Sequence, residues 1–336
     1  MATFSVARRR KGPPVPDLNV SFAQNGEDIV LWRALGHIEG GVYLDVGAND
    51  PTDDSVSRKF YDAGWSGIAV EPNPVYAAAF REERPRDAVF EAVASDSADE
   101  TMSLHLIEGT GLSTLIDGIS AEHEQSGFAV RDIVVPVISL NEAIEQAGLA
   151  GRDLHFLSID TEGAEAQVLA SLDFTRFRPW VLVIEATAPM STKRVHEGWS
   201  GIVEQAGYEF CFFDGLSRFY VAGERAAELK ADLEYPAGIL DAYTPIRQLD
   251  LQETLAATRA ELAATAERLH SEATRAAEVA LRLATVEQES ATVQAELDRS
   301  RQHEAELGQL VADLQRTLSW RITAPLRKVR TLRSGR

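Results

Sequence analysis

From Ser21 to about Val221, short apolar runs alternate with stretches whose apolar positions recur at helical spacing, the pattern of repeated strand and helix units. The runs Val42 to Val46, Ile68 to Glu71, Val89 to Ala94, His155 to Asp160 and Val181 to Glu185 read as strands buried on both faces, so a parallel sheet is expected. Helices are expected over Asp28 to Leu35, Asp53 to Ala63, Pro74 to Arg81, Leu140 to Gln146 and Glu165 to Ser171. Two further β-like pieces, Met102 to Ile107 and Ile133 to Ile138, flank a polar loop, Gly109 to Phe128. After the fifth strand, Tyr208 to Asp214 and Arg218 to Ala222 are joined by the turn-forming Asp214-Gly215-Leu216-Ser217, which predicts a terminal antiparallel hairpin.

The pattern changes at about Ile246. From there the chain has neither glycine nor proline until Gly308 and is built from Ala, Glu, Leu, Arg and Gln, a long-helix composition. A heptad seam runs through Leu255, Leu262, Leu269, Ala276, Leu283, Leu297, Val311 and Leu318, with partner positions Leu251, Val279, Val286, Val293, Leu307 and Leu314. Thr258, Thr265, Glu272, Ser290, Ser300 and Glu304 interrupt it. A parallel homo-oligomeric coiled coil is expected, and some seventy residues would reach on the order of 100 Å. A single helix held by charge pairs four residues apart is the alternative.

The organisation is then a basic, proline-rich arm over 1–20, a globular domain over 21–240, a coiled coil over 246–318 and a basic amphipathic tail over 319–336. The tail carries Trp320 among Arg321, Arg327, Lys328 and Arg330, a composition that favours peripheral contact with anionic membrane. A frayed, solvated end is the alternative there.

Of 336 residues, 45% are hydrophobic, enough for a globular core, and the formal charge is −19. That charge opposes nucleic acid as a partner. A single cysteine, Cys211, excludes a disulfide framework and a thiolate zinc site and fits a reducing cytoplasm. Gly12-Pro13-Pro14-Val15-Pro16 follows the Arg8-Arg9-Arg10-Lys11 cluster where an export signal would need an apolar run. A cytoplasmic protein, or one lying at the inner face of the membrane, is expected.

The candidate chemistry lies in Asp45-Val46-Gly47-Ala48-Asn49 at the end of the first strand and in Glu71 at the end of the second. In an open parallel sheet, ligands bind beyond the carboxyl ends of the strands, and an acid ending the second strand can hold a ribose diol. A dinucleotide site would want G-x-G-x-x-G, which is missing. An acid before the glycine suits a ligand with a cationic amino-acid end, and S-adenosylmethionine becomes the expected cofactor. Gly47 and Asn49 would form the turn whose amides meet the cofactor's carboxylate, with Asp45 facing its ammonium. Ser95 and Asp96, at the end of the third strand, stand where an acid could meet the adenine amino group.

Three ordered motifs carry a family resemblance. Ser21-Phe22-Ala23-Gln24-Asn25-Gly26-Glu27-Asp28, the Asp45 to Asn49 turn and Ser158-Ile159-Asp160-Thr161-Glu162-Gly163-Ala164-Glu165 resemble the FkbM-type methyltransferase family over roughly Ser21 to Ala222. The resemblance implies a Rossmann-like, seven-stranded class I methyltransferase sheet, parallel with a terminal antiparallel hairpin. It also implies S-adenosylmethionine-dependent O-methylation of a sugar or other natural-product hydroxyl. The terminal Ser319 to Arg327 segment is similar to a tail on enzymes of bacterial surface-polysaccharide assembly, which makes a glycan intermediate the expected acceptor. A non-catalytic scaffold or chain-length gauge for such assembly is the competing reading.

For the base that takes the acceptor's proton, His196 just past the fifth strand is the first choice and Asp160 the nearest acid, able also to bind the ligand. His123 in the polar loop is the reserve. Arg218 and Tyr220 could approach an acceptor. A divalent ion between Asp160, Glu162 and Glu185 is chemically open, yet the spacing does not demand it, and no metal is expected.

Overall fold

The computed structural model describes residues 19–107, 113–114, 130–189 and 191–323. The chain divides into two compact units, residues 1–252 and 253–336.

In the first unit, the strands are β1 (Asn19–Ser21), β2 (Val42–Val46), β3 (Ser66–Val70), β4 (Ala88–Phe90), β5 (Val93–Ala94), β6 (Thr101–Ile107) and β7 (Val130–Ile138). They continue with β8 (Phe156–Ile159), β9 (Val181–Glu185), β10 (Tyr208–Phe213), β11 (Ser217–Ala222) and β12 (Tyr243–Pro245). The main sheet has seven strands in the order β10-β11-β9-β8-β2-β3-β4. Its central pairs are parallel, and β11 runs antiparallel to both β9 and β10. The expected seven-stranded α/β sheet with a closing hairpin is therefore the sheet that forms.

Alternation along β2 explains its apolar run. Val42, Leu44 and Val46 enter one core with Leu157, Ile159, Leu182 and Ile184, while Tyr43 enters a second with Phe156, Val181, Val183 and Phe219. Both faces are covered by helices, so every residue of β2 is buried. Asp45 shares the Tyr43 side of the pleat and is only 5% exposed. The first core is closed by the helices Leu140–Gln146, Glu165–Ala170 and Ser200–Gln205, the second by Glu27–Leu35, Arg58–Asp62 and Ala226–Leu233.

Four expectations are corrected. The run Val89 to Ala94 is two strands: Val89 and Phe90 stay in the main sheet, whereas Val93 and Ala94 pair with Val137 and Ile138 in a separate sheet, β5-β7-β6. The helix expected from Asp53 begins only at Arg58, because the Asp50 carboxylate accepts the amides of Thr52 and Asp53 and Asp54 sits at φ 56°, holding the approach as a loop. Asn19 and Val20 are not part of an arm, since β1 pairs in parallel with β12. The same pairing draws Tyr243 to Pro245 into the first unit. The helices Ser200–Gln205 and Ala226–Leu233 were not expected at all.

The long helix Ile246–Arg316 is a single element, as its composition predicts, and has no buried residue. Its seam is open to solvent: Leu262 is 68% exposed, Leu283 58% and Val293 63%. The arm over 1–18, the loop over 108–112 and 115–129 with His123, and the tail beyond Thr323 lie outside the described residues. Among the described residues, no helix is long and apolar enough to cross a membrane.

Candidate active site

Parallel register aligns the carboxyl ends of β3, β2, β8 and β9, so Glu71, Gly47, Asp160 and Glu185 come to one rim of the sheet. Two adjoining cavities open there, and Gly47, Asn49 and Asp160 line both.

The first holds about 580 Å³ of empty space, the scale of a nucleoside ligand. Glu71, Tyr76, Val93, Leu104, Ser113 and Thr161 are among its walls. Glu71 is 5% exposed, and each carboxylate oxygen accepts one backbone amide, Oε1 from Asn73 and Oε2 from Asn49, both at 2.7 Å. Burial pushes its carboxyl up to about 7 against the pull of these amides, with Asp45 adding repulsion. Each oxygen keeps a further lone pair for a hydroxyl. A diol-gripping carboxylate beside an apolar slot of Val70, Val93, Ala94 and Leu104 fits the ribose and base of S-adenosylmethionine.

Gly47 stands at φ 73°, and a Cβ there would fall 1.7 Å from the Asp160 carbonyl oxygen. The glycine is needed because the loops after β2 and β8 touch through their backbones. One expectation fails here. The Gly47 and Ala48 amides both donate to the Val70 carbonyl, at 3.0 and 3.3 Å, and the Asn49 amide goes to Glu71, so the turn's amides hold β3 instead of meeting a ligand carboxylate.

The second cavity is wider and acidic. Glu27, Asp45, Asp54, Asp160, Glu162 and Glu185 line it, with no lysine, arginine or histidine among the described lining residues, although Asp54 is paired with Arg247 from outside the lining. Asp45 accepts a very short hydrogen bond from Ser57, whose hydroxyl in turn accepts from Arg84 Nη1 at 2.7 Å. Arg84 is fully buried and also donates to Ser55 at 2.7 Å. This relay fixes the Asp45 carboxylate, which burial raises to about 6.

Asp160, Glu162 and Glu185 converge, one carboxylate oxygen of each lying within 4.8 Å of the others. Asp160 is exposed at the cavity wall, whereas Glu162 is only 9% exposed and Glu185 8%. The Asp160 and Glu185 carboxyls are near enough for a protonated Glu185 to donate a hydrogen bond to Asp160. Burial and mutual repulsion raise the proton affinity of Glu162 and Glu185; for Asp160 burial raises it against that hydrogen bond. Glu162 stands at φ 50°, its carbonyl accepting from Thr114 Oγ1 at 2.9 Å. Glu165 ties down the loop through the Gly163 amide at 2.9 Å.

The structure thus brings together Asp45, Gly47, Asn49, Glu71 and Asp160. It does not bring Ser95, Asp96 or His196 to either cavity wall. The Ser95 amide donates to Ile138 and its hydroxyl accepts from Ser97, following the departure of β5 from the main sheet. His196 begins the short helix His196–Gly198, its Nδ1 buried without a partner and its proton affinity lowered, chiefly by desolvation. Arg218 stacks on Phe210 and donates to Tyr220, away from the cavities.

Glu27 went unassigned in the sequence. It is 3% exposed, lines the acidic cavity and is pushed up to about 8, by burial first and Asp214 second. Its neighbour Asp28 serves the fold, accepting from Ser21 and Phe22 at 2.7 Å. Two adjacent acids opening a helix were the available signal.

Residues 45–210 match the model of the methyltransferase FkbM domain. Similar solved structures include a TehB-like SAM-dependent methyltransferase from Corynebacterium glutamicum, 13% identical, with a TM-score of 0.33 over 59% of this chain and 88% of that one. Methyltransferase FkbM from Methylobacillus flagellatus is 11% identical, with a TM-score of 0.32 over 58% of this chain and 47% of that one. A precorrin-6y C5,15-methyltransferase from Geobacter metallireducens is 14% identical, with a TM-score of 0.30 over 55% and 71%. No curated protein matches the sequence. With its motifs at the rim of this sheet, the chain is similar over residues 45–210 to the methyltransferase FkbM domain, of a family of S-adenosylmethionine-dependent enzymes.

Proposed function

We propose that the domain methylates a hydroxyl of a sugar or glycan intermediate, in the assembly of a bacterial surface polysaccharide. The observation that carries the acceptor class is the lining of the second cavity. Six carboxylates, of which Asp54 is paired with Arg247, and the hydroxyls of Ser55, Ser158, Thr187, Ser191 and Ser217, with no cationic side chain among the described lining residues, suit a neutral polyhydroxyl compound and disfavour a phosphate or an acidic sugar.

S-adenosylmethionine supplies a methyl group on a sulfonium. Methyl transfer is an in-line displacement, so alignment is the main demand on the protein. Glu71 holds the ribose in the first cavity, and Asp160, on the wall common to both cavities, is placed to orient the acceptor hydroxyl and take its proton. His196 stands outside both linings, which favours Asp160 for that role.

The exposed seam of Ile246–Arg316 supports assembly of several copies through a coiled coil, and Trp320 with Arg321 supports a peripheral contact with anionic lipid. The acceptor reading is tested by offering neutral, phosphorylated and acidic sugars with S-adenosylmethionine and measuring release of S-adenosylhomocysteine. Turnover with a neutral sugar or glycan supports it, and turnover confined to acidic sugars refutes it.

A further inference from the structure

We propose that Asp160, Glu162 and Glu185 form a binding site for a hard divalent cation of the Mg²⁺ or Mn²⁺ class, on the wall of the acidic cavity.

The donor set is all oxygen, the preference of such ions. An octahedral ion with ligands at about 2.1 Å sets neighbouring ligand oxygens about 3.0 Å apart and opposite ones about 4.2 Å apart. The three carboxylates already bring an oxygen each within 4.8 Å of one another, so small side-chain rotations complete that geometry. They come from three places: Asp160 directly follows β8, Glu185 ends β9, and Glu162 is carried by a loop that Thr114 and Glu165 pin.

A second observation points to a ligand. Oε2 of Glu162 is shut off from solvent and has no hydrogen-bond partner, on a side chain nine-tenths buried. Buried carboxylate oxygens are ordinarily satisfied, because leaving one bare costs its full desolvation. Among the described residues, no lysine or arginine lines the cavity to compensate it. A single ammonium would leave most of the charge of three clustered carboxylates uncompensated, whereas a divalent ion neutralises two and ligates the third. Asp160 also faces the first cavity, so the ion lies beside the place where donor and acceptor meet.

The test uses the full chain, free of cofactor, titrated with Mn²⁺ alone at 150 mM salt and followed by electron paramagnetic resonance. One saturable site is expected, displaced by Mg²⁺, and Glu162→Gln and Glu185→Gln each weaken it at least tenfold. Absence of saturable binding overturns the proposal, as does undiminished binding in both variants. Should Glu185→Gln not fold, Glu162→Gln alone decides. Glu71→Ala keeps Mn²⁺ binding while losing S-adenosylhomocysteine, so failure of the ion site and failure of the cofactor cradle are told apart.

Discussion

The backbone amide of Asn49 donates to Oε2 of Glu71 at 2.7 Å, binding the turn after the first core strand to the carboxylate that ends the second. Its counterpart on Oε1 is the Asn73 amide, so the chain on both sides of the cavity converges on one side chain. Glu71 is held in place before any ligand arrives, and its charge governs what it can accept.

That charge is pH-sensitive near neutrality, because burial raises the carboxyl to about 7. An ionised Glu71 accepts two hydroxyls, and a protonated one has lost an acceptor. S-adenosylhomocysteine should bind about tenfold more weakly at pH 6 than at pH 8, the ratio of ionised Glu71 at those values. Calorimetry across this range checks it, and Glu71→Gln should flatten the profile.

Gly47→Ala should be severely destabilising. The residue sits at φ 73°, where a side chain is strained, and the new methyl would overlap the Asp160 carbonyl. A loss above about 2 kcal/mol is expected, since left-handed strain of about 1–3 kcal/mol is joined by a clash that moves backbone. Urea unfolding measures it.

Ligand-free protein should gain stability as pH falls from 8 to 5.5. Glu27 is raised from 4.5 to about 8 and Glu71 from 4.5 to about 7, both by burial first. Between the unfolded and folded values the native state binds more protons, so each group adds up to about 1.4 kcal/mol per unit of acidification across its window. His155 and His196 oppose this below pH 6.5, the proton affinity of each being lowered, chiefly by desolvation. Two histidines over one unit do not cancel two glutamates over their wider windows. Thermal unfolding should give the higher midpoint at pH 5.5, with a smaller difference in Glu27→Gln.

A chain ending at Gln252 should be a monomer while the full chain is larger. The cut follows the division between the two units and keeps Tyr243 to Pro245, which pair with Asn19 to Ser21. The removed helix carries its apolar seam in solvent. Light scattering decides, and equal assembly states with and without the helix contradict the coiled coil.

How far the sequence was legible follows from what each segment answers to. Val42 to Val46 and Val181 to Glu185 announce themselves because both faces of each strand are covered. Ser139 begins its helix where expected through a reciprocal cap with Glu142. The break within Val89 to Ala94 was hidden, since it depends on which distant partner each half finds: Ile68 to Val70 for one, Val137 and Ile138 for the other. At the site, acids ending strands were readable from position alone. The occupation of the Gly47 and Ala48 amides by Val70, the Arg84–Ser57–Asp45 relay and the displacement of Ser95 and His196 from the cavities depend on packing between remote segments. No local pattern records them.

The central claim is that Glu71 clasps the cofactor in the first cavity, and titration calorimetry of S-adenosylhomocysteine into the parent protein and Glu71→Ala at pH 8 tests it most directly. Saturable binding to the parent that weakens at least tenfold in the variant is the predicted result. Equal affinity in the two proteins, or no binding to the parent, would contradict it.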